Sequence, residues 1–426
     1  NHYMNKLLKV SIFILFATSS IFYLFEFIAL GLRLAFVDEL VRRHINSANI
    51  RKQNVQLEKY FKDEEHYDSK TAREFIEDYK TKNKGYELQP FIPSIEYYKL
   101  SNYKILPLGG VPNQFIINRN ENGYWPIIKN DKFGFNNENS AWDDSNIVIS
   151  GPSTVWGSGV HSGQNFARIL RDHYGYKILN LGYPQLPYPE AYYALILEYF
   201  KLINPDYFIW TISDENAGDE NLFLLKDFLT RKYGKFYNQN LLEKTDEIIS
   251  LHKNYMELYY NKSYIISRDI NFKDVPKEFL RLINLRTIKE YIRNEINPVK
   301  VKHNYNELLT KKECKVGRVK RELQKLEKID QYLNPDTQII VLFLTTKNRL
   351  NFKNSKNDFC FDSLQNEIEK KGYPIIDLTQ IINSKKIISK KIFNENGNLH
   401  FSKEGNILIA KILSEQLMKL YAKENY

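Results

Sequence analysis

The stretch NIVISGPSTVWGSG, residues 146–159, decides the fold of this chain. It opens with a short apolar run of β-branched residues, which is typical of a parallel strand buried on both faces. A turn of small residues follows, and Ser153 stands in it just before the next helical stretch. Such a strand-to-helix turn exposes a serine hydroxyl at the carboxyl edge of an open α/β sheet, where these sheets place their ligands.

Four further runs of the same kind follow, separated by stretches with helical periodicity. Together the predicted strands are Ile147–Ser150, Lys177–Asn180, Tyr207–Ser213, Gln338–Thr345 and Pro374–Leu378. The predicted helices lie near 163–174, 188–203, 361–371 and 403–421. This alternation predicts an α/β fold: a doubly wound, flavodoxin-like parallel sheet of five strands with helices on both faces.

The composition of the 426 residues predicts five segments. The first two are a transmembrane anchor (1–36) and a juxtamembrane helical stalk (37–100). The α/β domain comes in two parts, 101–218 and 336–426. Between them, residues 219–335 are helical in pattern, rich in Lys and Tyr, and without a strand of the same kind, which predicts a helical insertion.

The N-terminal segment is apolar enough to span a membrane. Residues 10–32 carry a single charge, Glu26, and as a helix they would be roughly 35 Å long, enough to cross a hydrocarbon core. We expect one uncleaved span; the alternatives are a cleaved signal peptide and a buried soluble helix. Basic residues flank both ends, but a short N-terminal tail is easier to keep inside. This favours an inner-membrane protein with a periplasmic or otherwise extracytoplasmic body. Because a charge is costly in lipid, Glu26 is expected to face a helix of a membrane protein partner or to reach the membrane–water interface.

Charge and cysteine content narrow the function classes. The net charge is +10, but the 61 basic residues are spread along the chain and no nucleic-acid motif accompanies them, so we expect no nucleic-acid partner. The basic stretch 311–328 is either a solvated helix face or a surface for anionic polysaccharide or lipid head groups. Cys314 and Cys360 form no metal-binding motif, and the sequence does not decide whether one disulfide joins them.

Polar residues follow the predicted strands and open the last predicted helix. Ser153 follows the first strand, Gly182 the second and Asn216 the third, while His400 precedes the last helix. Because the carboxyl ends of parallel strands meet at one edge of a sheet, we expect these residues to converge. Their order along the chain, Ser, Gly, Asn and His, resembles the SGNH (GDSL-type) hydrolase superfamily, whose name lists those residues.

Sequence blocks around these residues carry the resemblance over about residues 100–220 and 338–420. The segments 106–110 and 132–137 also resemble membrane-anchored SGNH proteins of polysaccharide loci and the AlgX/AlgJ-like O-acetylation group. The matching blocks are Gly151-Pro152-Ser153 with Gly157, Asn180-Leu181-Gly182, the run from Asn204 to Asn216, and His400 with Gly405.

The resemblance implies a role for each residue. Ser153 would attack an ester carbonyl, and His400 would take its proton. The backbone N–H groups of Ser153 and Gly182 and the side-chain amide of Asn216 would cradle the oxyanion. The implied substrate is an acyl ester, such as the acetyl ester of a cell-surface glycan, which is hydrolysed or transferred. This chemistry needs no metal or organic cofactor.

Two departures from the family pattern favour an alternative. Pro152 replaces the aspartate of the GDS block, and the acid usually found two or three residues before the histidine is replaced by Asn398 and Gly397. The alternative is a catalytically inactive scaffold or accessory subunit of a membrane protein assembly. A third interpretation is a polysaccharide- or lipid-binding module. Three other carboxylates remain as substitutes for the missing acid: Asp377, Glu395 and Glu404.

Overall fold

The computed structural model describes much of the chain after residue 67. The described ranges are 72–83, 87–184, 190–213, 228–233, 238–260, 316–351, 358–387, 392–394 and 400–424, with the single residues Ser20, Tyr23, Leu24, Asp68, Lys70 and Leu186. The chain divides into two compact units, 1–56 with 257–311 and 57–256 with 312–426. The described residues of the first unit are helical. All the others lie in the second unit.

Two β-sheets organise the second unit, and the smaller one comes first along the chain. Its elements are α1 (Ala72–Lys82), β1 (Leu88–Pro90), α2 (Ser94–Leu100), β2 (Phe115–Ile117) and β3 (Ile127–Lys129). β1 is parallel to β2, and β2 is antiparallel to β3, so a hairpin loop joins β2 to β3. Residues 72–100, which the sequence places in a helical stalk, thus include a strand with a buried Leu88 as well as two helices.

The larger sheet has five parallel strands, as predicted. They are β4 (Ile147–Ser150), β5 (Ile178–Asn180), β6 (Tyr207–Ile212), β7 (Gln338–Phe343) and β8 (Ile375–Asp377). The strand order is β5-β4-β6-β7-β8, which is that of a flavodoxin-like doubly wound sheet. The chain turns to one side of β4 to form β5 and to the other side to form β6. The topological switch point therefore lies between β4 and β6.

Helices cover both faces of the larger sheet. In chain order they are α3 (Ala141–Asp144), α4 (Ser153–Trp156), α5 (Phe166–Tyr174), α6 (Glu190–Ile203), α7 (Thr245–Tyr260), α8 (Val316–Asp330), α9 (Lys347–Asn351), α10 (Asp358–Lys370), α11 (Leu378–Ser384) and α12 (Lys403–Glu424). Val148 packs in one core with α6, α8 and α10, whereas Ile147 and Ile149 pack in the other with α5, α11 and α12. Because alternate side chains enter two different cores, each strand is apolar throughout.

Several predictions concern residues outside the described part. No described helix is long and apolar enough to cross a membrane, and of the predicted span 10–32 the structure describes only Ser20, Tyr23 and Leu24. The predicted segment boundaries therefore stay predictions. Also outside the description are Cys314, the side chain of Cys360, the oxyanion candidate Asn216 and residues 261–315 of the predicted insertion.

Candidate active site

Ser153 lies in the sharp turn that follows β4, beside the switch point of the larger sheet. It is the first residue of the one-turn helix α4. Gly151 allows the turn, because a Cβ there would overlap the side chains of Thr211 and Val155. Pro152 precedes the helix with a φ of −72°, and its carbonyl accepts the N–H of Val155 at 2.9 Å. A proline fits this position, because a residue ahead of the first helical turn needs no N–H to form it.

His400 comes from a distant part of the chain, just before α12. Residues 392–394 and 400–402 pair in antiparallel fashion around an isolated bridge, and the carbonyl of His400 accepts a backbone N–H from the first segment at 2.9 Å. The first turn of α12 packs against that segment, because Gly405 has no side chain. A Cβ on Gly405 would overlap the carbonyl oxygen of Ile392. The glycine that follows the histidine thus permits the close approach that positions His400.

Ser153, His400 and Glu121 form a continuous chain of hydrogen bonds. Ser153 Oγ lies 2.7 Å from His400 Nε2. On the other side of the ring, His400 Nδ1 lies 2.7 Å from Glu121 Oε2 and 2.9 Å from Glu121 Oε1. A carboxylate only accepts hydrogen bonds, so Nδ1 carries the proton and Nε2 is left to accept the hydroxyl proton of Ser153. This is the order of groups in a serine–histidine–carboxylate triad.

Glu121 is the functional residue that the sequence interpretation missed. It stands in the hairpin loop between β2 and β3, within Asn120-Glu121-Asn122-Gly123, whose composition indicates only a turn. The SGNH pattern places the acid just before His400 instead. The one signal in the sequence is a single acidic residue among turn-forming neutral residues, and it has no characteristic spacing from Ser153.

Of the other carboxylates that the sequence suggested, the two that are described, Asp377 and Glu404, make no hydrogen bond to His400. Asp377 caps α11, where it accepts a backbone N–H of that helix at 3.1 Å. Glu404 is exposed in the first turn of α12. Residues 395–399, which include Glu395, lie outside the description. The carboxylate that His400 does contact comes from the smaller sheet and was not among the candidates that the sequence offered.

The carboxylate and the imidazole are largely shielded from water. The side chains of Glu121 and His400 are 12% and 11% exposed. Burial acts to raise the pKa of Glu121, but the charge of His400, with hydrogen bonds from His400 and Asn394, outweighs it and lowers the pKa below 4.5. Glu121 is thus ionised at neutral pH and favours a positive charge on the ring. Among the described residues, no three His, Cys, Asp or Glu side chains are grouped to hold a metal ion.

Of the two further oxyanion candidates, Gly182 is described and Asn216 is not. Gly182 approaches α4 closely, since a Cβ on it would lie 2.7 Å from the backbone nitrogen of Trp156. Its N–H donates to Asn180 Oδ1 at 2.8 Å, while the Asn180 amide donates to the carbonyl of Val155 at 2.7 Å. An oxyanion at this position would have to share the Gly182 N–H with Asn180.

Two asparagines ahead of β4 hold the serine turn and the end of β5. Asn136 Nδ2 donates to the carbonyl of Trp156 at 2.7 Å, and Asn137 exchanges two hydrogen bonds of 2.9 Å with the backbone of Asn180. Both belong to a loop folded around Asp131, whose pKa burial raises to about 6. This loop, which the sequence singles out only by resemblance, therefore fixes the helix that carries Ser153.

Comparisons with known proteins concern the fold alone. No family model and no curated protein matches the chain. One similar solved structure is described as a lipolytic protein of the G-D-S-L family from Desulfitobacterium hafniense DCB-2, with 10% identity, a TM-score of 0.32 and coverage of 64% of this chain and 99% of that one. Another is a two-domain esterase active on acetylated mannans, with 10% identity, a TM-score of 0.31 and coverage of 66% and 51%. Similarity at this level leaves the function to be argued from this chain's own residues.

Proposed function

We propose that this chain contains an SGNH-type serine hydrolase domain that acts on acyl esters. The observation that carries the proposal is the unbroken chain from Ser153 Oγ through His400 to the Glu121 carboxylate, with a contact of 2.7 Å on each side of the ring. A serine hydroxyl is a weak nucleophile until an adjacent base takes its proton. The position of Ser153 at the carboxyl edge of the sheet, beside the switch point, is where open α/β sheets bind substrates.

The proposed reaction follows from this geometry. Ser153 Oγ attacks the ester carbonyl carbon while His400 Nε2 takes the hydroxyl proton. Glu121 holds the ring in the reactive tautomer and stabilises the imidazolium. When the tetrahedral intermediate collapses, the proton passes from Nε2 to the departing alkoxide, and the acyl group stays on Ser153. Water then attacks the acyl carbon while His400 Nε2 takes its proton, and the acyl–Oγ bond breaks as this proton returns to Ser153, which releases the acid; a sugar hydroxyl that attacks in the same way receives the acyl group.

The oxyanion of the tetrahedral intermediate needs hydrogen-bond donors near Ser153. We assign its stabilisation to the N–H groups of Ser153 and Gly182 and to the amide of Asn216, as the resemblance implies. The position of β6 supports the assignment of Asn216, because this strand is the direct neighbour of β4 and ends at Ile212, four residues before Asn216 in the sequence. Gly182 is a donor only if it shares its N–H with Asn180.

A catalytically inactive scaffold or accessory subunit of a membrane assembly is the rival proposal. One observation favours it: the Gly182 N–H is already bonded to Asn180 Oδ1 at 2.8 Å. The carboxylate on His400 Nδ1 favours the enzyme. Buried ionic pairs are weak sources of stability, and they recur where proton affinities are tuned for chemistry.

We also propose that residues 10–32 anchor the chain in the inner membrane, that the body lies outside the cytoplasm, and that the substrate is an acetyl ester of a cell-surface glycan. The apolar length of this segment and the resemblance of the sequence blocks support this proposal. The full chain should stay with membranes after an alkaline carbonate wash, and a version that starts near Arg42 should be soluble. Full-length protein found wholly in the soluble fraction would contradict the anchor.

Labelling with a serine-directed fluorophosphonate tests the nucleophile. We expect the wild-type protein to take up the probe and to hydrolyse p-nitrophenyl acetate, and Ser153→Ala to do neither. Ser384→Ala is the matched control, because this serine is exposed at the end of α11, where its hydroxyl donates to the carbonyl of Ile381. Equal labelling of wild type and Ser153→Ala, or no labelling of either, would contradict the assignment of Ser153 as the nucleophile.

A further inference from the structure

Asn394 contacts both members of the carboxylate–histidine pair. Its side-chain Nδ2 donates to Glu121 Oε2 at 3.1 Å, and its backbone N–H donates to the carbonyl of His400 at 2.9 Å. The residue is buried, with 0% of its surface exposed. None of the sequence blocks that resemble the SGNH superfamily contains it. Its position therefore calls for an explanation beyond those blocks.

The hydrogen bonds around Asn394 determine which way its amide points. A carboxylate only accepts, so the amide nitrogen must face Glu121. The amide oxygen then faces Asn122, whose Nδ2 donates to it at 2.6 Å. Asn122 Nδ2 also lies 3.2 Å from the carbonyl of Gly159. Both polar ends of the Asn394 side chain are thus engaged, and this arrangement holds the donor on Glu121.

Gly159 leaves room for this contact. Its φ is +87°, in the left-handed region that favours glycine. A Cβ on it would overlap Asn394 Nδ2 and lie 3.2 Å from Glu121 Oε2. Any side chain at this position would therefore separate the amide from the carboxylate. The backbone near α4 is shaped for the approach of Asn394 to Glu121.

We propose that Asn394 is a positioning residue that holds Glu121 on His400 and sets the proton affinity of the pair. This inference rests on the proposed function. Glu121 comes from a hairpin loop, and Asn394 ties the carboxylate to the segment that also carries His400. A donor on a carboxylate draws off part of its negative charge and stabilises its ionised form. Without this donor, Glu121 has one fewer restraint and attracts the imidazolium proton more strongly.

The pH–rate profiles of Asn394→Ala and Asn394→Asp test the inference. Asn394→Ala should lower kcat about 10- to 100-fold with little change in KM, since a misplaced group of this kind costs up to that much. The acid limb of the Asn394→Ala pH–rate profile, which reports protonation of the coupled Glu121–His400 pair, should move to higher pH. Asn394→Asp puts a second carboxylate against the pair and should move the limb further the same way. Glu121→Gln should move it to lower pH.

Asn130→Ala is the control for simple loss of a buried amide. Asn130 is 1% exposed and donates to the carbonyl of Val111 at 3.0 Å, with no contact to the triad. It should lower the melting temperature as Asn394→Ala does and leave the acid limb where it is. A merely structural Asn394 would behave in the same way as Asn130.

A second readout does not depend on turnover. The Nδ1 proton of His400, bonded to Glu121, should give a far-downfield proton NMR resonance that is unchanged in Asn130→Ala and changes in position or intensity in Asn394→Ala. An unchanged resonance or an unchanged acid limb in folded Asn394→Ala would overturn the positioning role. Hydrolysis by Ser153→Ala at the wild-type rate, or no hydrolysis by the wild-type protein, would instead overturn the proposed function. The NMR resonance would still decide the role of Asn394.

Discussion

The larger sheet and the hairpin loop of the smaller sheet contribute different parts of the triad. The turn after β4 carries Ser153, and the start of α12 carries His400, so the two cores of the larger sheet fix both. Glu121 is held from outside those cores. Its loop docks through a buried hydrogen bond from Asn118 Nδ2 to Ser158 Oγ at 2.9 Å. The site is therefore complete only when the smaller sheet is docked on the larger one.

The same hairpin loop is also bound to the chain that precedes α1. The N–H of Asp68 donates to the carbonyl of Gly123 at 2.7 Å, and Asn120 Nδ2 donates to the carbonyl of Asp68 at 2.9 Å. Trp125 Nε1 donates to the carbonyl of Lys70 at 3.0 Å. The loop that carries Glu121 is thus held by polar contacts from two directions, while the strands on either side of it contribute Ile116 and Ile128 to a core of the larger sheet.

The largest effect should come from Glu121→Gln, which keeps the shape of the loop and removes the charge. We expect kcat to fall about 10³- to 10⁴-fold, because the amide no longer fixes the reactive tautomer or stabilises the imidazolium. Steady-state hydrolysis of p-nitrophenyl acetate measures this. Glu404→Gln, on an exposed glutamate of α12, should stay near wild type. Glu121→Gln with more than about a tenth of wild-type kcat would remove the acid from the triad.

A smaller loss is expected when the docking of the two sheets is weakened at Ser158. Ser158 is 3% exposed, so Ser158→Ala leaves the Asn118 amide buried without this acceptor and should cost about 1–3 kcal/mol of stability. The looser loop should lower kcat about tenfold. Adding Asn118→Ala to Ser158→Ala should change stability and kcat little further, because the hydrogen bond between the two side chains is already lost. Full activity in folded Ser158→Ala would show that docking does not control Glu121.

Two carboxylates, Glu121 in the hairpin loop and Asp131 in the loop that holds the serine turn, should show opposite dependence of stability on pH. The pKa of Glu121 lies below 4.5 in the folded protein, so its contribution is complete above that value and is lost as the pH falls through the lowered pKa. The pKa of Asp131 is raised to about 6, so its contribution is complete below 3.8 and is lost as the pH rises through about 6.

Unfolding of wild type, Glu121→Gln and Asp131→Asn across this pH range measures the difference. Each pKa unit corresponds to about 1.4 kcal/mol. The advantage of wild type over Glu121→Gln should shrink on acidification, and its advantage over Asp131→Asn should shrink as the pH rises. If the stability differences between wild type and the two variants changed with pH in the same direction, the assigned pKa shifts of Glu121 and Asp131 would be wrong.

The same contrast explains what the sequence predicts and what it does not. The strands of the larger sheet are buried on both faces, so their apolar runs are continuous, and the observed ends lie within two residues of the predicted ones. The strands of the smaller sheet, such as Leu88–Pro90, have three residues each, too few to show a period of two. Ser153 and His400 stand in blocks with a characteristic context. Glu121 reaches His400 across 279 positions from a turn, and only the tertiary structure brings them together.

The smallest effect is expected where the sequence alone predicts a gain. The SGNH pattern suggests that Asn398→Asp restores a missing acid and raises the rate. His400 Nδ1 is already bonded to Glu121 at 2.7 Å, so a new carboxylate finds no unoccupied proton on that side of the ring. We therefore expect kcat to change less than about twofold in the wild-type background. In Glu121→Gln the same substitution should recover part of the lost rate. A large gain in kcat in the wild-type background would show that Glu121 does not serve as the acid. A general effect of added negative charge would instead raise kcat by a similar factor in both backgrounds.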